Sequence, residues 1–218
     1  EEEIANASDA RAIELLYKAW QWDQLQEKKP AAKKRTRKAP KMAKAGRPKT
    51  KREVATRSRQ EAIAKFAPGE DIWLFAYGSL LWNPTIYFKE MRNGQLRGYH
   101  RRFCMETVLG RGTPENPGLM LALDHGGSCH GIAYRIDRAV AEHELKIVWD
   151  REMISTAYVA RVLPLVTDQG PLKAITFTIN RNSKQYTGKM AVEKVAAVIA
   201  RSGGPMGDCS EYLFQTIE

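Results

Sequence analysis

The pattern of hydrophobic and polar positions divides the chain into three stretches. The first, residues 1–27, contains apolar side chains at helical spacing, which predict an amphipathic helix over residues 8–27 (Ile13, Leu16, Tyr17 and Trp20). The second, residues 28–66, has almost no large apolar side chain up to residue 59 and is rich in Lys, Arg, Ala and Pro. Such a composition cannot bury enough area to offset the entropy of ordering, so we expect a disordered linker or tail, with a helical turn or two over residues 53–66.

The third stretch, residues 67–218, has the pattern of a folded domain. A short apolar run at 72–76 ends in Tyr77-Gly78-Ser79 and predicts a buried strand followed by a tight loop. Further strands are predicted at 119–123, 131–136, 158–166 and 173–180, and helices at 139–153 and 190–202. Strands and helices are mixed without regular βαβ alternation, which favours an α+β fold with a strongly curved, barrel-like mixed sheet and flanking helices.

Charge is distributed unevenly along the 218 residues. The chain carries a formal net charge of +10, but residues 28–59 hold 15 Lys and Arg against a single acid, Glu53, and the remainder is slightly acidic. A segment this basic is typical of salt-sensitive binding to nucleic acid, and an anionic membrane surface or an acidic protein would also fit it. A solvated linker without a partner is the alternative interpretation.

Membrane-spanning and disulfide-framework proteins are excluded by the sequence. No apolar run approaches the roughly 20 residues that a transmembrane helix needs. The first residues are acidic and lack the apolar core of a secretory signal. Three widely spaced cysteines, an odd number, do not form a disulfide framework. We therefore expect a cytoplasmic protein without a transmembrane segment.

Glu152 is the most informative acid in the sequence. It follows three large apolar side chains at i, i+3 and i+4 of the predicted helix (Leu145, Val148 and Trp149), so a carboxylate lies on an apolar face. If that carboxylate is desolvated, its pKa rises towards the range that a general acid/base needs. The alternative is an ordinary salt bridge with Arg151 or another arginine.

The remaining candidate positions give weaker signals. The loop Tyr77-Gly78-Ser79-Leu80 ends a strand in a glycine turn whose backbone N–H groups are able to hold an anion, although most such turns have no function. Arg111 begins a rigid loop that more commonly has a structural role. The four histidines and three cysteines show no metal-ligand spacing, so no metal site is predicted.

Taken in order, the short motifs of residues 71–217 resemble those of the ChaC-type γ-glutamylcyclotransferases, in particular the bacterial branch. They are FAYGSLLWNP (75–84), GYHRRF (98–103), RGTPE (111–115), GIAYRI (131–136), WDREM (149–153), YTG (186–188) and EYL (211–213). One departure follows Glu152, where the family usually has Thr-Gly before Ala-Tyr and this chain has Ser155-Thr156.

This resemblance implies a γ-glutamylcyclotransferase fold and cleavage of glutathione to 5-oxoproline and cysteinylglycine without a cofactor. The family's catalytic glutamate corresponds to Glu152, and its loop that binds the γ-glutamyl group corresponds to Tyr77, Gly78, Ser79 and Leu80. Arg111 and Tyr186 are weaker candidates for lining the substrate pocket. The competing hypothesis is a non-catalytic cyclotransferase-like module whose basic segment binds a polyanion.

Overall fold

The computed structural model describes residues 50–217. These contain four helices: α1 (Lys51–Ile63), α2 (Ala141–Glu152), α3 (Val192–Arg201) and α4 (Cys209–Ile217). The strands are β1 (Ile72–Ala76), β2 (Glu90–Thr107), β3 (Gly118–Ile136), β4 (Tyr158–Thr167), β5 (Gly170–Ile179) and the short pair β6 (Gly203–Gly204) and β7 (Gly207–Asp208). The predicted helical N-terminal segment and most of the predicted basic tail lie outside the described residues.

Five strands form a closed barrel in the order β1-β3-β2-β4-β5. Antiparallel ladders join β1 to β3, β3 to β2, β2 to β4 and β4 to β5. Parallel contacts of β5 with β1, at Leu74 and Ile175, and with β3, at Leu123 and Thr178, complete the closure. The predicted α+β fold with a barrel-like mixed sheet is therefore confirmed.

The long ribbon of β2 and β3 differs from the sequence prediction. The strands predicted at 119–123 and 131–136 are two parts of one strand, β3, which continues through the polar stretch between them. Its partner β2 was not predicted, because its sequence does not alternate between apolar and polar residues and several of its partly buried positions are polar. A ladder that lasts almost the whole length of both strands stabilises this polar sequence.

Helix α1 is longer than the helical turn or two predicted over residues 53–66, within the segment expected to be otherwise disordered. A capping box starts it: the Glu53 N–H donates to the Thr50 hydroxyl, and the Thr50 N–H donates to the Glu53 carboxylate. Arg59, which is almost fully buried, binds the carboxylate of Glu142 on α2 at 2.9 Å. Near its C-terminal end, Ala62, Ile63 and Phe66 belong to the hydrophobic core of the barrel domain, so the core begins before residue 67.

Helix α2 is the element that places the candidate acid. Leu145, Val148 and Trp149 are buried on the barrel, and the indole of Trp149 packs edge-on against Phe177 of β5 at a centroid distance of 4.9 Å. The helix ends at Glu152, so the candidate acid is its last residue. No helix in the described part of the chain has the length and apolar character needed to span a membrane.

Candidate active site

A pocket brings together residues from strands β1, β3, β4 and β5, from helices α2 and α4, and from the loop that follows β1. Its walls are formed by aromatic and aliphatic side chains around one carboxylate and one glycine turn: Phe75, Tyr77, Gly78, Ser79, Leu80, Leu121, Glu152, Tyr158, Phe177 and Tyr212. Glu152 and the four predicted loop residues therefore line one cavity, although more than 70 positions separate them in the sequence.

Glu152 is the acidic residue of the pocket. Its side chain is only 15% exposed, and the nearest cation is the Arg151 Nε, 3.5 Å from a carboxylate oxygen. Burial raises the pKa of this carboxyl above its ordinary value, and the positive charge of Arg151 only partly opposes the rise. The carboxylate is therefore desolvated, as one interpretation of the sequence predicts, and it also has an arginine beside it, as the alternative predicts.

Three tyrosines surround the carboxylate. Tyr77 donates its hydroxyl to the carbonyl oxygen of Phe177 at 2.8 Å, and Tyr158 donates to that of Leu121 at 2.9 Å. Tyr212 completes the group from α4. Burial raises the pKa of all three hydroxyls, and the negative charge of Glu152 adds to the rise in each. These tyrosines are neutral at physiological pH and present hydroxyl oxygens to the cavity.

The segment of residues 77–83, here called the site loop, is a compact turn. Its internal bonds run from the Leu81 N–H to the Gly78 carbonyl at 2.7 Å and from the Asn83 N–H to the Ser79 carbonyl at 2.9 Å. The N–H groups of residues 78–80 have no hydrogen-bond acceptor within residues 50–217. Three consecutive N–H groups of this kind form a site for a carboxylate or an oxyanion.

Glycine at position 78 allows this loop to approach α4. A Cβ added there would lie 3.4 Å from the hydroxyl oxygen of Tyr212. The Tyr212 ring is itself held by Trp82 and Phe103, with centroid distances of 5.8 Å and 6.1 Å. A larger residue at position 78 would therefore narrow the pocket between the loop and the helix.

Arg111, predicted as a pocket residue, lies behind the wall of the pocket. Its Nη1 donates to the Asp208 carbonyl at 2.6 Å and to the Glu211 carboxylate at 2.8 Å. Its guanidinium carbon is 5.5 Å from the centroid of the Tyr212 ring. The structure thus connects Arg111 to the site through Tyr212, while Arg111 itself lines none of the cavity.

Tyr186, also predicted as a pocket residue, belongs to a different cluster. Its hydroxyl donates at 3.0 Å to Asp124, a fully buried carboxylate that also binds Arg102 at 2.6 Å and Arg181 at 2.5 Å. We call these four residues the Asp124 cluster. It ties the segment that follows β5 to strands β2 and β3, and Tyr186 is absent from the residues that line the pocket.

Sequence reasoning missed Tyr158, Tyr212 and Arg151 as site residues. Tyr158 and Tyr212 occurred within short motifs, yet nothing in their local spacing shows that two distant segments meet at the same opening. The departure at Thr156 has no conformational cost here, because Thr85 is the one residue other than glycine with a positive φ in the described chain. No group of three His, Cys, Asp or Glu side chains within residues 50–217 is close enough to hold a metal ion.

The family of the chain follows from comparison with known proteins. A family model described as "ChaC-like protein" matches residues 72–218. The chain belongs to this ChaC-like family. The ChaC-like chain is 41% identical over 144 residues to the glutathione-specific gamma-glutamylcyclotransferase of Escherichia coli K12, a match that covers 66% of this chain and 62% of that protein. It therefore spans less than two thirds of this relative.

Two further comparisons agree with that assignment. The ChaC-like chain is 32% identical over 152 residues to glutathione-specific gamma-glutamylcyclotransferase 1 of Danio rerio, with 67% of this chain and 78% of the relative covered. Among solved structures, a glutathione-specific γ-glutamyl cyclotransferase from yeast matches with a TM-score of 0.64 at 20% identity, covering 67% of this chain and 85% of the other. At that identity the structural match supports the fold alone.

Proposed function

We propose that this protein is a γ-glutamylcyclotransferase that cleaves glutathione to 5-oxoproline and cysteinylglycine. The observation that carries the proposal is the pocket itself, where a desolvated Glu152 faces the N–H groups of residues 78–80. The substrate class comes from the relatives, of which those from E. coli and D. rerio are named as glutathione-specific.

The pocket offers partners for both polar groups on the α-carbon of a γ-glutamyl group. An α-carboxylate accepts hydrogen bonds from consecutive backbone N–H groups, such as those of the site loop. An α-amino group donates hydrogen bonds to oxygen atoms, and Glu152, Tyr77 and Tyr158 supply such atoms. Held between these groups, the flexible chain of the substrate brings its own amine close to its γ-carbonyl carbon, a geometry able to supply much of the rate enhancement.

The reaction needs no nucleophile from the enzyme. The α-amine nitrogen attacks the γ-carbonyl carbon and forms the lactam C–N bond, while the bond from that carbon to the cysteinyl nitrogen breaks. Glu152, as carboxylate, takes the proton that the attacking amine loses and delivers a proton to the leaving amine. No water is consumed, because the amine of the substrate is the nucleophile.

The other predicted residues have supporting roles in this proposal. Tyr77 shapes the wall of the pocket, while Gly78, Ser79 and Leu80 supply backbone N–H groups. Arg111 supports Tyr212 from behind. We assign no substrate contact to Tyr186, because it does not line the pocket.

The proposal is tested by following all products released from glutathione by mass spectrometry. We expect equimolar 5-oxoproline and cysteinylglycine, with no free glutamate. Release of glutamate would indicate hydrolysis by water and would overturn the cyclisation step. Parallel reactions with γ-glutamylcysteine and γ-glutamylalanine determine whether the whole tripeptide is required, because an enzyme specific for glutathione releases far less 5-oxoproline from either.

The alternative function, a non-catalytic module that binds polyanions, gains no support from the described residues. Two of the basic side chains at the end of the predicted segment are paired within the fold, Arg57 with Glu61 and Arg59 with Glu142. Binding of nucleic acid or an anionic surface through residues 28–59 stays a prediction, and a salt titration with duplex DNA would test it. The cytoplasmic location is part of the proposal and accords with three unpaired, buried cysteines.

A further inference from the structure

Arg151 contacts both halves of the candidate site. Its Nε lies 3.5 Å from a carboxylate oxygen of Glu152. Its Nη1 donates to the carbonyl oxygen of Asn83 at 2.9 Å, and its Nη2 donates to the hydroxyl oxygen of Ser79 at 2.5 Å. One side chain thus joins the end of α2 to the site loop, although Arg151 and Ser79 are 72 positions apart.

These contacts are placed where they fix the orientation of the loop. The site loop is closed internally by the bond from the Asn83 N–H to the Ser79 carbonyl. Arg151 binds the same two residues, so it holds the turn at both of its ends. The direction in which the N–H groups of residues 78–80 point, relative to Glu152, therefore depends on this guanidinium.

Arginine suits this place for two physical reasons. Its planar group presents donors in fixed directions, so one side chain serves three partners that a lysine ammonium would not reach together. It also lies in the last turn of α2, where the helix dipole favours a positive charge. Within residues 50–217, Lys146 of the same helix forms its ion pair with Asp150, on the exposed surface.

We infer that Arg151 is a positioning residue for the cyclisation: it fixes the carboxylate of Glu152 and the N–H groups of the site loop at the separation that the γ-glutamyl group requires. This inference rests on the proposed function. Arg151 acts through Glu152 and Ser79, so its own nitrogens need no contact with the reacting atoms.

Arg151 also affects the pH above which Glu152 is ionised and able to act as a base. The groups that face this carboxylate are Arg151 from α2, Tyr77 from the site loop, Tyr158 from β4 and Tyr212 from α4, and the tyrosines are neutral. Arg151 is therefore the cation that counters burial. Its removal raises the pKa of Glu152 further, so the carboxylate forms only at higher pH.

The test compares the kinetics of 5-oxoproline release across pH in four variants. For Arg151→Gln we expect kcat to fall about 100-fold, with a smaller change in KM, because misplaced groups slow the chemical step. The acidic limb of kcat/KM moves to higher pH by about one unit.

Three further variants serve as comparisons. Arg151→Lys keeps the charge, so its acidic limb stays near that of the parent while kcat still falls. Ser79→Ala leaves the limb in place and lowers kcat less. Lys146→Gln, the matched control on α2, keeps the parental profile.

A double-mutant cycle distinguishes positioning from general damage to the fold. If the bond from Arg151 to Ser79 orients the loop, the loss of kcat in the Arg151→Gln, Ser79→Ala double variant is clearly smaller than the product of the two single losses. Multiplicative losses, or a parental kcat and acidic limb in Arg151→Gln, would overturn the inference. Equal acidic limbs in the Gln and Lys variants would show that the charge of Arg151 does not act on Glu152.

An NMR titration separates this inference from the proposed function. The carboxyl carbon of Glu152 in protein labelled with ¹³C-glutamate is assigned by its absence in Glu152→Gln. A higher pKa in Arg151→Gln than in the parent or in Arg151→Lys supports the coupling without any turnover. If the parent releases no 5-oxoproline from any γ-glutamyl peptide, the proposed function fails, and the positioning role for that reaction fails with it. An unchanged pKa with full activity overturns the Arg151 inference alone.

Discussion

Two buried carboxylates in the barrel domain, Glu152 and Asp124, have contrasting surroundings. Asp124 is fully buried and receives hydrogen bonds from Arg102, Arg181, Tyr186 and the His125 N–H. Burial by itself raises its pKa, but these bonds outweigh burial and hold the pKa of Asp124 below its ordinary value. Glu152 has one arginine at 3.5 Å and three neutral tyrosines, and its pKa is raised.

Under the proposed function, the contrast separates a structural acid from a reactive one. A carboxylate whose acceptor positions are all filled stays ionised and holds chain segments together. A carboxylate that is desolvated and only partly paired keeps a tendency to take up a proton, as a general base requires. Similar side chains, a tyrosine and an arginine, accompany both acids, so the difference lies in number and geometry rather than in residue type.

The largest expected effect on stability comes from removing the negative charge of Asp124. Asp124→Asn leaves Arg102 and Arg181 without their shared anion. We expect it to lower the free energy of unfolding by about 2–3 kcal/mol. The loss is smaller than for a fully buried ion pair, because both arginines are partly exposed. Urea denaturation at pH 7 measures the loss. Since the folded pKa of Asp124 is depressed, the difference between parent and variant persists above the unfolded pKa of about 4 and closes as pH falls through the folded pKa. A variant as stable as the parent would contradict the structural role of this cluster.

An identical substitution in each region sharpens the comparison. Tyr158→Phe removes the hydroxyl that faces the pocket, and we expect kcat/KM to fall about tenfold, equivalent to one lost hydrogen bond in the transition state. Tyr186→Phe removes a hydroxyl bound to Asp124 and should cost about 1 kcal/mol of stability with kcat/KM within twofold of the parent. Steady-state kinetics and thermal unfolding of both variants check the pair. The reverse pattern would move the active site to the Asp124 cluster.

Glu152→Gln should affect stability in the opposite direction to Asp124→Asn. The pKa of Glu152 is higher in the folded than in the unfolded chain, so the ionised carboxylate destabilises the folded state at pH values above the folded pKa. This destabilisation is absent at pH values below the pKa that Glu152 has in the unfolded chain. We expect the variant to be more stable than the parent by about 1 kcal/mol at pH 8, as for other substitutions that relieve a strained functional site. The advantage should shrink as the pH is lowered. Differential scanning calorimetry at several pH values measures it, and a less stable variant at pH 8 would contradict the account of the desolvated acid.

The sequence allowed much of this arrangement to be predicted, where local spacing reports on local structure. Helical spacing isolated Glu152, and the strand that ends in glycine identified the site loop. The capping pattern of Thr50 and Glu53 was also visible, but the basic composition around it favoured disorder. Tertiary contacts of Arg59 and of the apolar residues that follow stabilise α1, and composition does not reveal them.

Other features depend on how the barrel closes. Arg111 and Tyr186 occur in motifs of the family, yet Arg111 lies in the loop between β2 and β3 and Tyr186 in the segment that follows β5. What each side chain contacts is decided by the folded chain and not by its motif. Tyr212 belongs to α4, the last helix of the chain, and only the folded chain brings it to the pocket. Arg151 adjoins Glu152 in sequence, but its contacts with Ser79 and Asn83 exist only in the folded chain.

The central claim is that Glu152 is the acid/base of the cyclisation. The measurement that tests it most directly is the rate of 5-oxoproline release from glutathione, compared between the parent, Glu152→Gln and Glu144→Gln. Glu144 lies on the same helix and is also buried, but its carboxylate accepts the N–H of Tyr87 outside the pocket. The account predicts that Glu152→Gln lowers kcat by about 10²–10⁴-fold, while Glu144→Gln keeps a rate per folded molecule close to that of the parent. Comparable rates in the parent and in correctly folded Glu152→Gln would contradict the claim.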